Sequence, residues 1–140
     1  MESLTLKIKI AVLWLFMAVA YSAHMALSIF EPSVIKLITD GKIQITEGGF
    51  IFSAFFAWLI PLTMAFLSVT LKDWANRRTN IVLGIVFTVG NIFHLLYEQL
   101  AQPSMHMAQP SIHQLLLNIS TVVVTALVVW YAWRWPRQKA

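Results

Sequence analysis

Four long stretches of this chain are apolar and almost free of charge, at about residues 10–30, 48–71, 79–98 and 112–133, the third closing on Glu98. A bilayer core about 30 Å thick takes roughly 20 helical residues at 1.5 Å each, so every stretch is long enough to cross it. Lipid offers no partner to a free backbone N–H or C=O, which leaves helix as the conformation for each. The pattern predicts an all-α protein, a four-transmembrane-helix bundle in which residues 1–140 form a single integral membrane domain. The first stretch also reads as a secretory signal, since Lys7 and Lys9 precede an apolar run and Ala18-Val19-Ala20 imitates a cleavage site. The run continues to Phe30 and three more stretches follow, which favours a retained helix.

Polar residues within the stretches fall on narrow faces. At 100° per residue, Tyr21, His24, Ser28 and Glu31 share an arc of roughly 80° on the first helix. Ala18, Ser22 and Ala26 form a separate small-residue stripe, suited to close helix contact or to pairing with a second copy of the chain. On the third helix Gly84, Asn91 and Glu98 recur every seven residues, with His94 four before Glu98. On the fourth, Gln114, Asn118, Thr121 and Thr125 form a stripe, with His113 beside its outer end. Pro61 removes a backbone donor from the second helix and predicts a kink there.

The connections differ in kind. Residues 31–47 (EPSVIKLITDGKIQITE) form the longest charged one. Pro32 should end the first helix and Asp40-Gly41 should turn, with VIKLIT and KIQIT open to a hairpin or an interfacial helix. Residues 72–78 are expected to be a short turn, and residues 99–110 an uncharged loop.

Composition supports lipid as solvent. The chain is 59% hydrophobic and 11% charged, where soluble domains carry about 25% charge. A net charge of +4 would suggest nucleic acid in a soluble protein. Here the cations are sorted around the spans, so the bilayer is the expected partner and nucleic acid is not. Eight of the ten Lys and Arg residues flank one side: Lys7, Lys9, Lys72, Arg77, Arg78, Arg134, Arg137 and Lys139. Only Lys36 and Lys42 lie on the other. The positive-inside rule then puts both termini in the cytoplasm. Trp130, Tyr131, Trp133 and Trp135 suit the aromatic belt at that interface. The absence of cysteine excludes disulfides, thiolate catalysis and iron–sulfur clusters.

With that orientation, His24, Glu31, Glu47, Asn91, His94, Glu98, His106 and His113 all belong to the outer half or outer loops. Tyr21, His24, Ser28, Glu31, Asn91, His94, Glu98, His113, Gln114 and Asn118 are the candidate pocket residues. Three chemistries compete. A lipophilic ligand would place its head on this cluster and its tail along Phe50, Phe52, Phe55, Phe56 and Trp58, although those aromatics equally suit plain lipid contact. A metal would use His24, His94, Glu98 and His113, since His94 and Glu98 have the i, i+4 spacing that lets one helix offer two ligands. Acid–base chemistry would need one histidine beside a carboxylate, such as His24 with Glu98. The bland alternatives are solvated carboxylates at span ends, a solvated His106, and structural hydrogen bonds between helices for His24 and His94. An accessory subunit packing through Ala18, Ser22 and Ala26 is a further reading. No polar path continues through the inner halves, which disfavours a conduit. No cofactor and no catalytic residue is identified.

The apolar WLF segment after a cationic start, the run Ile43-Gln44-Ile45-Thr46-Glu47-Gly48, the run from Trp74 to Ile81 (WANRRTNI) and the closing Trp130 to Trp135 (WYAWRW) carry a resemblance. Together they resemble a group of small bacterial four-helix membrane proteins of unknown function, similar in size and hydropathy to DoxX-like proteins. The resemblance implies a four-helix bundle in a bacterial inner membrane. It implies no site residues, and the quinone-linked redox processes associated with DoxX-like proteins have no matching centre in these residues.

Because the chain has no cysteine, orientation can be tested with single cysteines. A membrane-impermeant maleimide should label Thr39→Cys on intact cells and leave Trp74→Cys unlabelled until the cells are opened. Labelling of Trp74→Cys from outside would overturn the orientation.

Overall fold

The computed structural model describes residues 2–42, 46–101 and 111–135, and these form helices with no strand among them. Helix α1 covers Glu2–Ile29, α2 is the short helix Pro32–Thr39, α3 covers Glu47–Thr70, α4 covers Asp73–Leu96 and α5 covers Ile112–Trp133. Two π-helical turns interrupt this pattern, Phe55–Leu59 within α3 and Tyr97–Ala101 continuing α4. The four long helices have 22 to 28 residues in their apolar spans, about 33–42 Å at 1.5 Å per residue, which is enough to cross a membrane.

Burial has the sense expected in lipid. Asn76, Asn80, Asn91, Glu98, Gln114, Asn118, Thr121 and Thr125 are buried, while Phe66 is 66% exposed and Phe93 68%. Polar groups face one another and apolar side chains face out, which water would not tolerate and hydrocarbon requires. The chain has the build of a multi-pass membrane protein.

The helices pack as two hairpins, α1 with α3 and α4 with α5, joined along α1 and α5. Helices α3 and α4 touch sparingly, although only Leu71 and Lys72 separate them. They are therefore close at the end that holds both termini and apart at the other. Near the termini, Ile10, Trp14 and Met17 of α1 are fully buried against Met64, Phe87, Val124 and Val128. Trp14 meets Phe87 edge-on at 5.4 Å. Its indole N–H donates to Asn80 Oδ1 at 2.7 Å, Asn80 Nδ2 donates to Asn76 Oδ1 at 2.5 Å, and Asn76 Nδ2 donates to the Ser68 carbonyl at 2.5 Å. This polar node ties α1, α3 and α4 together.

Several expectations need correcting. Residues 72–78 are not a turn: α4 begins at Asp73, six residues before the expected start at 79. Leu71 and Lys72, both extended, make the whole connection. Asp73 favours the positive N-terminal end of its helix, and it holds Lys7 Nζ at 3.0 Å and the Ser3 hydroxyl at 2.7 Å. The Lys7 ammonium also donates to the Leu71 carbonyl at 2.8 Å, satisfying the frayed end of α3. These contacts also explain why α1 starts well before residue 10.

In the charged connection, VIKLIT is helical within α2 and not a strand. Pro32 sits in its first turn, where no N–H is needed. Gly41 closes it at φ +68°, its N–H bonded to Ile38 O and that of Lys42 to Leu37 O. Residues 43–45 of KIQIT lie outside the described residues, as does most of the 99–110 loop with His106. Thr46 Oγ1 caps α3 by accepting the Gly49 N–H at 3.1 Å. Ahead of Pro61 the helix opens into the π turn, with the Ile60 N–H reaching back to Phe55 O, as expected where proline breaks the ladder.

Asn80→Ala should lower the stability of the detergent-solubilised protein by about 1–2 kcal/mol, because it orphans Trp14 Nε1 and Asn76 together. The midpoint of unfolding by a denaturing detergent measures this. An unchanged midpoint would show that the node carries no stability.

Candidate functional site

Away from the termini, the polar face of α1 climbs like a ladder. Tyr21 donates to Asn91 Oδ1 on α4, and Asn91 Nδ2 reaches Thr121 O on α5 at 3.4 Å. His24 Nε2 lies 3.4 Å from Glu98 Oε1. Ser28 Oγ accepts from Gln114 Nε2 at 2.8 Å while donating to the His24 carbonyl at 2.6 Å. Glu31 Oε1 lies 3.4 Å from His113 Nε2, an ion-pair distance without hydrogen-bond alignment. Of the ten candidate pocket residues, Tyr21, His24, Asn91 and His94 line a cleft between α3 and α4, while Ser28, Glu31, Glu98, His113, Gln114 and Asn118 pair with one another or with these four in a strip along the same side of the bundle.

Its centre is Glu98, buried between two imidazoles. His94 Nε2, one turn earlier on α4, is 3.3 Å from the same Oε1 that faces His24, and the two imidazole rings meet edge-on at 5.7 Å. The other oxygen, Oε2, accepts from Asn118 Nδ2 of α5. The π turn from Tyr97 carries Glu98, so the helix widens where this side chain turns inward. His24, His94 and Glu98 each present a ligand atom within 4.8 Å of the other two.

The fourth expected metal ligand, His113, does not join them. It pairs with Glu31 one rung further out, because α5 enters the bundle at Ser111 and His113 stands on its first turn. Three buried polar atoms on this strip have no hydrogen-bond partner among the described residues: His24 Nδ1, Glu31 Oε1 and Gln114 Oε1. Buried atoms in that state call for water, an ion or a ligand.

Beside the strip, the gap between α3 and α4 forms a cleft of about 440 Å³. Met25, Phe52, Phe56, Val86 and Phe87 supply apolar walls, and Tyr21, His24, Asn91 and His94 a polar edge. Of the aromatics expected to line it, Phe52 and Phe56 do so, their rings 4.5 Å apart. Phe50 and Phe55 do not line it, and all four of these phenylalanines are exposed. Trp58 instead donates to Ser22 Oγ at 2.7 Å, so α3 occupies part of the small-residue stripe. Ala18 is buried, while Ser22 and Ala26 remain exposed. A Cβ built on Gly90, which lines the cleft, would meet nothing within 4 Å, whereas one on Gly84 would come within 2.8 Å of Val129 Cγ2. At Gly84, α4 and α5 approach too closely to admit a Cβ without a shift, and beside Gly90 the cleft is open.

Sequence reasoning missed Asn76 and Asn80. The signal was present: Asn76, Asn80, Gly84, Asn91 and Glu98 continue one face of a helix begun at Asp73.

Fold and site define a bundle of four membrane-length helices with an open cleft edged by His24 and His94, behind which both imidazoles meet the buried Glu98 carboxylate. No family model, curated protein or solved structure matches the chain.

The first rung can be weighed by a double-mutant cycle. Tyr21→Phe and Asn91→Leu should show a coupling of about 0.6–1.7 kcal/mol in unfolding free energy. Strict additivity would mean that the two side chains do not interact in the bilayer.

Proposed function

We propose that the chain binds a small lipophilic molecule in the cleft between α3 and α4, in the outer half of a bacterial inner membrane, with both termini in the cytoplasm. The cation distribution supports the orientation, and the short charged motifs at the interfaces support a place beside the DoxX-like group. The observation that carries the binding reading is the cleft itself. Its volume of about 440 Å³ falls within the roughly 300–1,000 Å³ of small-molecule sites. Its walls are mostly apolar, and apart from Ser53 on α3 its polar groups are Tyr21, His24, Asn91 and His94 of α1 and α4.

The ligand class follows from that division. A tail enters from the lipid between Phe52 and Phe56 on one side and Val86 on the other. A compact hydrogen-bonding head then reaches the polar edge at the imidazoles of His24 and His94, the second of which is about half exposed. Tyr21 and Asn91 already satisfy each other and serve to hold the edge in place. Entry from the side suits a molecule that partitions into the bilayer.

The test fills the cleft without touching its polar edge. A photoactivatable long-chain alcohol should crosslink to peptides covering residues 52–57 and 86–94 of the wild type. Gly90→Leu, whose new side chain has room at its root, should fold normally and cut that labelling about tenfold or more, a loss of about 1.4 kcal/mol in binding. Labelling spread evenly over all four helices and indifferent to Gly90→Leu would contradict the reading.

A further inference from the structure

We propose that His24, His94 and Glu98 form a site for one divalent transition metal, of the zinc and ferrous iron class, with an open coordination position facing the cleft. Both imidazole Nε2 atoms already stand 3.3 and 3.4 Å from Glu98 Oε1. A tetrahedral ion with bonds of about 2.0–2.1 Å holds its ligand atoms about 3.3–3.4 Å apart, so two of the three ligand–ligand edges have coordination length. The ligands come from two helices, and their meeting depends on the fold, not merely on i, i+4 spacing.

The donor set selects the ion. Two imidazole nitrogens and one carboxylate oxygen suit zinc, ferrous iron or manganese. Magnesium and calcium prefer oxygen throughout, and copper(I) prefers sulfur, which a chain without cysteine supplies only as methionine. Asn118 holds Oε2 and leaves Oε1 turned to the histidines, the orienting role that outer-shell groups play around metal-bound carboxylates. An ion would also supply positive charge beside a carboxylate that is only 6% exposed.

Three protein ligands are the number found where a metal keeps a place for water or substrate, and structural zinc sites use four. His24 and His94 both line the cleft, so the vacant position points to where a lipophilic head would lie. The metal site does not depend on that ligand, and the two readings fail separately.

Chelator-stripped, full-length protein in detergent is titrated with Zn²⁺ by calorimetry and with Co²⁺ by visible absorption. The expected result is saturation at about one ion per chain, with ligand-field bands that report nitrogen coordination. Glu98→Gln and His94→Ala should abolish binding, and Asn118→Ala should weaken it about 10–100-fold. His113→Ala and Gly90→Leu should leave it unchanged, the second even as it removes lipophile labelling. Circular dichroism checks that each variant folds, and if one does not, the wild-type Co²⁺ spectrum decides alone. Absence of saturable binding to the wild type would overturn the proposal. So would binding that survives in folded Glu98→Gln and His94→Ala.

Discussion

The contact between the polar face of α1 and the facing stripes of α4 and α5 is the constraint on which the other features depend. In hydrocarbon a polar side chain has no solvent to return to, so each rung must find its partner inside the bundle. Three successive positions on α1 do so, Tyr21 and His24 toward α4 and its π turn and Ser28 toward α5, and Glu31, just past the end of α1, stands at ion-pair distance from His113 of α5. Individually such bonds contribute little, about 0.6 kcal/mol on average. Collectively they set the rotation of α1, and one rotation of α1 then points His24 at Glu98 and Trp14 at Asn80.

With α1, α4 and α5 committed to one another, α3 is left to pack on α1. The Asn76–Ser68 bond and the two-residue link hold its terminal end against α4. Further along, after the π turn before Pro61, the two helices stand apart, with open space beside Gly90. The cleft therefore results from a bundle closed on three sides, and its polar edge results from the ladder. Binding chemistry and architecture share the same side chains.

Much of this was legible in the sequence because lipid simplifies the reading. Uncharged stretches of this length read as spans, and polar residues within them are expected to point inward, so the faces Tyr21/His24/Ser28 and Gln114/Asn118/Thr121/Thr125 are visible from spacing alone. Interfaces were harder. The charge of residues 72–78 looks like a solvated turn, and only Asp73 as a helix start, fixed by Lys7 and Ser3, shows that Asn76 and Asn80 face inward. Partner choice was also hidden. A helical wheel places His113 near the strip but not on which rung, and Glu31 takes it from the Glu98 cluster. The cleft depends on how far α3 leans from α4, a tertiary quantity with no local signature beyond Pro61.

The meeting of two imidazoles on one buried carboxylate is the claim on which the metal reading rests and which fixes the histidine edge of the cleft, and it can be measured in a bilayer. Solid-state NMR dipolar recoupling between carboxyl ¹³C of glutamate and imidazole ¹⁵N of histidine reads such contacts directly, with Glu98→Gln identifying the signal. With oxygen–nitrogen separations of 3.3 and 3.4 Å, the Glu98 carboxyl should dephase strongly against two imidazole nitrogens, and both contacts should vanish in the variant. A Glu98 signal that shows no histidine contact, or contact with His94 alone, would contradict the account, because α1 would then present another face to the bundle.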